Sequence, residues 1–85
     1  MDTNELMRIR GEQVTLEHER RTKLNQFDTE KSALQSFVNS IHRIQNSPKD
    51  WLPDETARLK RIATLQTEIL ELDERIAELK QVSGI

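Results

Sequence analysis

Apolar side chains recur along the second half of the chain at alternating intervals of three and four residues: Ile62, Leu65, Ile69, Leu72, Ile76 and Leu79. This is the heptad spacing of a helix that buries one stripe, with isoleucine at each a position and leucine at each d position. Residues 54–82 contain neither glycine nor proline, so the pattern predicts one unbroken helix there. The first half keeps a single frame too, less purely. Counting a from residue 6, its seam positions are Leu6, Ile9, Gln13, Leu16, Arg20, Lys23, Phe27, Glu30, Leu34, Phe37, Ile41 and Ile44. Proline is absent from residues 3–46 and Gly11 is the only glycine, which predicts a first helix over 3–46, with Gly11 as a point where it could kink.

Between the two lies the chain's one concentrated breaker signal, Ser47-Pro48-Lys49-Asp50-Trp51-Leu52-Pro53. Two prolines in six positions disfavour a helix interior, so 47–53 is assigned to a turn. Ser47 before Pro48, with Asp50 three residues after Ser47, also has the form of a helix start, so a short helical turn fits inside the connection. Asp2 with Glu5 marks the start of the first helix, and Gly84 suits the end of the second. The expected fold is all-α: one antiparallel two-helix hairpin with coiled-coil packing.

Charge favours the antiparallel sense. A parallel pair of second helices would set Glu68 against Asp73 and Arg75 against Lys80, two repulsive pairs. An oppositely running neighbour avoids both, and the first helix is the nearest one. The expected hairpin core is therefore Phe27, Leu34, Phe37, Ile41, Ile44, Ile62, Leu65, Ile69, Leu72, Ile76 and Leu79. A buried Glu30 in this seam is expected to meet Arg or Lys across it and help set the register.

Helix lengths of roughly 66 and 43 Å would leave the first fifteen or so residues overhanging, with Leu6, Met7, Ile9, Val14 and Leu16 unburied. Apolar residues also sit beside the seam: Leu24, Ala33 and Val38 on one helix, Leu59, Ala63, Leu70 and Ala77 on the other. Such stripes predict a homodimer with a four-helix arrangement, or a complex with another protein. Leu6, Met7, Ile9, Leu16, Trp51, Leu52, Leu59 and Leu70 are the expected partner or dimer interface. Trp51 has two readings: a plug over the end of the hairpin against Ile41, Ile44 and Leu59, or an exposed anchor for a partner.

Composition narrows the chemistry. Apolar residues are 34% and charged residues 33%, suited to long helices that each bury one stripe. Neither half is basic: residues 1–45 carry seven Lys/Arg and seven Asp/Glu, and 46–85 carry six and eight. Net charge is −2. An electrostatic grip on nucleic acid is accordingly not expected. The basic clusters Arg20-Arg21-x-Lys23 and Arg58-x-Lys60-Arg61 are interrupted by acids and have no aromatics interleaved for base stacking.

Cysteine is absent, so disulfides and thiolate metal sites are excluded. His18 and His42 have no second metal ligand at helical spacing on the same face. No phosphate loop or nucleophilic triad is present, and no cofactor is expected. Without a signal sequence or an apolar run of membrane length, the chain is expected to be a complete, soluble, cytoplasmic protein. The expected function is non-enzymatic: a protein–protein interaction module that binds or blocks a partner, of chaperone, regulator or inhibitor type. A structural coiled-coil oligomerisation subunit is the alternative, and nucleic-acid binding a third.

Overall fold

The computed structural model describes residues 2–83, the side chain of Ser83 excepted; the expected Gly84 cap lies outside the described residues. Every element among them is helical: α1 (Thr3–Ser40), a short 3-10 turn (Ile41–Arg43) and α2 (Pro48–Ser83). The two long helices pack antiparallel along their length in a rod of 64 × 16 × 15 Å.

α1 starts where its sequence says. Asp2 is extended, and its side chain accepts a hydrogen bond from the Glu5 N–H at 2.8 Å, filling one of the vacant positions of a first helical turn. α1 runs through Gly11 without a break. Thr15 donates its hydroxyl to the Gly11 carbonyl at 3.0 Å, an outward bond that Thr22, Thr29 and Thr67 repeat to His18, Asn25 and Ala63.

The helix boundaries near the turn differ from expectation. α1 ends at Ser40 instead of 46, tightens into the 3-10 turn, and leaves helical geometry at Ile44 (φ −77°, ψ 121°). α2 begins at Pro48 instead of 54, with the Asp50 N–H bonded to the Ser47 carbonyl at 2.8 Å. Pro48 stands at the first helical position, where its missing N–H costs nothing. Pro53 lies inside α2 and gives up one intrahelical bond near the helix start. Packing offsets that loss. Continuing α2 back through Pro53 brings Trp51 onto Phe37, with ring centroids 5.1 Å apart and planes tilted by 51°.

The shifted bend changes the lengths. With 38 and 36 residues, α1 and α2 are nearly matched, at about 57 and 54 Å. The expected N-terminal overhang does not exist. Ile9 is 9% exposed and belongs to the core with Ile69, Ile76 and Leu79, while Leu6 and Leu16 are half-buried in the seam.

Burial follows the heptad frame along α1 from Leu6 to Phe37, where every a and d position is buried or half-buried. Ile41, expected in the core, is 44% exposed because it falls beyond the end of α1; Ile44 is half-buried. On α2 the same frame runs backwards past Ile62 through Arg58 and Glu55 to Trp51, all half-buried.

Candidate interaction surface

The polar seam residues are matched in charge across the helices. Lys23 donates to Glu68, and Arg20 to Asp73. Arg75 pairs with Glu12 at 3.0 Å and Lys80 with Glu17 at 3.9 Å. All four residues whose charges oppose a parallel arrangement thus find opposite charges on α1. Glu30 accepts a fork from Arg61, Nε and Nη2 both at 3.3 Å, with Arg58 Nη1 at 3.8 Å. Arg58 also faces Glu55 at 3.3 Å as an ion pair without hydrogen-bond alignment.

Hydrogen bonding to Glu68 raises the Lys23 ammonium above its ordinary value, against a smaller opposing effect of desolvation. Arg75 is likewise raised, first by its bond to Glu12 and then by Glu78. Both groups are held charged, and the bonds fix the sliding position of one helix on the other.

This pairing dissolves the basic clusters as patches. Arg20 and Lys23 are engaged near residues 68–73, and Arg58 and Arg61 near residue 30, so the clusters do not face each other. His18 and His42 are both exposed. Among the described residues no group of three or more His, Asp or Glu is placed to hold a metal ion, and no helix is long and apolar enough to cross a membrane.

The two flanks of the seam are unlike. One, at the g positions, carries Glu12, Arg61, Glu68 and Arg75 in ion pairs. The other, at e, carries the Glu17–Lys80 pair and Asp73 bonded to Arg20, and with the adjoining b positions it also gathers most of the exposed large apolar side chains. Met7 and Val14 (each 65% exposed) and Leu70 (56%) are at b; Val38, Leu52 and Leu59 (51–52%) are at e. Ile41, past the end of α1, and Val82, at g, are the large exposed apolar residues elsewhere in the described part.

Of the expected interface residues, Met7, Leu52, Leu59 and Leu70 therefore share one open face. Leu6, Ile9 and Leu16 are turned into the hairpin instead, because α2 reaches them. Trp51 is half-buried, with its ring against that of Phe37; Ile41 and Leu59, the residues it was expected to cover, are themselves exposed, and Ile44 is half-buried. The apolar b positions Met7 and Val14 and the e positions Leu24 and Val38 complete the face on the α1 side. Counting the α2 heptads back to Trp51 would have found the true start of that helix.

Comparisons of this chain with protein-family models, with characterised proteins and with solved structures found no match.

Proposed function

We propose that this chain is a non-enzymatic interaction module, which binds or blocks a protein partner through the b/e face of the hairpin, with two copies joining in a four-helix arrangement. One observation carries the reading: six of the eight large exposed apolar side chains among the described residues fall on that face, beside its two ion pairs, Glu17–Lys80 and Arg20–Asp73. Scattered apolar residues need no explanation on a helical surface; a one-sided set does. The face suits helix-on-helix docking, since its apolar residues share the b and e positions of one heptad frame, with polar residues at the b and e positions between them.

A photo-reactive side chain at Leu59 tests this against one at Thr22, which is exposed on the polar side. In purified protein and in native lysate, adducts to protein are expected from position 59 and not from position 22. Equal labelling from both sites rejects the assignment of the face.

A structural role is the second reading. Its support is the unbroken seam along a 64 Å rod, and it predicts species larger than a dimer in sedimentation.

A further inference from the structure

We propose that a second copy of this chain lies antiparallel on the outer face of α2, about a two-fold axis that crosses the helix between Thr64 and Leu65. The inference rests on the b/e face being the contact surface, and it adds the occupant and the register.

The α2 stripe is its own complement. Turned end for end about that axis, Leu59 comes level with Leu70 of the second copy, Leu52 with Ala77, Ala63 with Gln66, and Thr56 with Asp73, whose carboxylate is already bonded to Arg20. Each large side chain at the ends meets a small one, and the central leucines meet each other. A parallel pairing would instead stack alanine on alanine and leucine on leucine, leaving gaps beside crowded layers. The seam has natural limits as well: beyond Leu52 and Ala77, Lys49 falls level with Lys80 of the other copy and ends the contact.

Charge gives the same sense. Lys60 and Glu74 are at f positions beside the stripe, and among the described residues neither is in an ion pair within the chain. Under this two-fold each meets the other, twice. Their offset from the leucine layers equals that of Glu17 and Lys80 from the layers of the hairpin, a pair that stands at 3.9 Å. An isologous contact with two identical opposite-charge pairs is what a closed two-fold dimer requires.

The geometry closes. One residue along a helix turns it by about 100°, so the b/e stripe is about that angle from the a/d seam, close to the right angle between neighbours in a four-helix bundle. The hairpin's ion pairs, Glu12 with Arg75 on one flank and Glu17 with Lys80 on the other, place the axis opposite Phe27 and Asp28 on α1, so Val14 and Val38 of the α1 stripe lie on either side of it, along the fourth side of the bundle.

Cysteine is absent from the chain, so single cysteines test the register directly. L59C and L70C are oxidised separately and as a mixture of the full-length proteins, alongside sedimentation equilibrium of the unmodified chain. Expected are a dimer, and cross-linking only in the mixture, because residue 59 of one copy is about 16 Å from residue 59 of the other along the axis. E74K is expected to raise the dimer dissociation constant about tenfold or more, and K60E/E74K to restore it. Self-cross-linking of L59C alone, a dimer without the mixed cross-link, or a charge reversal without rescue each overturns the register. A monomer that still gives photo-adducts to another protein from position 59 overturns the second copy as occupant and leaves the proposed function standing.

Discussion

Gly11 faces solvent at an f position of α1, and a Cβ built there would meet nothing within 4 Å. The backbone is already helical, so a methyl group adds no strain and removes freedom from the unfolded chain. Gly11→Ala should therefore stabilise the protein by about 0.5–1 kcal/mol, read as a rise in the denaturant midpoint with an unchanged slope. Lys23 offers a different test. Its ammonium is raised by Glu68, so the folded state holds the proton more tightly than the unfolded chain. The resulting stabilisation is complete below the ordinary lysine value of 10.5 and is lost as pH climbs through the raised value. Unfolding curves of Lys23→Met should lack that part of the alkaline loss which the parent chain shows; equal pH dependence in both would contradict the assignment.

At the scale of the elements, Pro53 is the informative residue. It sits in the second turn of α2, its ring replacing a donor to the Lys49 carbonyl. Pro53→Ala should restore that bond and raise stability by about 1 kcal/mol, less than the roughly 3 kcal/mol separating the two residues in a helix interior. A fall in melting temperature would show that Pro53 instead holds the entry of α2 in place. The seams of both helices were legible because heptad spacing reports directly which side is buried, and the polar positions Arg20, Lys23 and Glu30 kept the frame where apolar residues lapsed. The bend was misplaced because proline preference is local, whereas the stacking of Trp51 on Phe37 is a gain between elements 14 residues apart in sequence. That error of six residues lengthened one helix and shortened the other, and so produced an overhang that the fold does not have. The one-sided face was legible only in pieces. Leu24, Val38, Leu59 and Leu70 stand out as apolar residues beside the seam, but which flanks of the two helices adjoin follows from the antiparallel register, fixed by the ion pairs.

For the molecule as a whole, the core is thin. Four apolar side chains, Ile9, Ile69, Ile76 and Leu79, are buried, and among the described residues none is fully shielded from solvent. A single hairpin of this kind leaves much of its unfolded surface still wet, so stability should depend on association. The melting temperature is expected to rise with protein concentration from the low micromolar range upward, and Leu59→Glu should abolish that rise. A melting temperature independent of concentration would mean that the hairpin stands alone.

The close match between the two helix lengths has one more consequence. Thr3 and Val82 lie at the same pole of the rod, and the connection alone occupies the other. Cargo fused near either end would leave from that shared pole, so both attachment points of one copy serve the same side. Under the proposed two-fold, the poles of the two copies point opposite ways, and the pair becomes a short strut with an outlet at each tip.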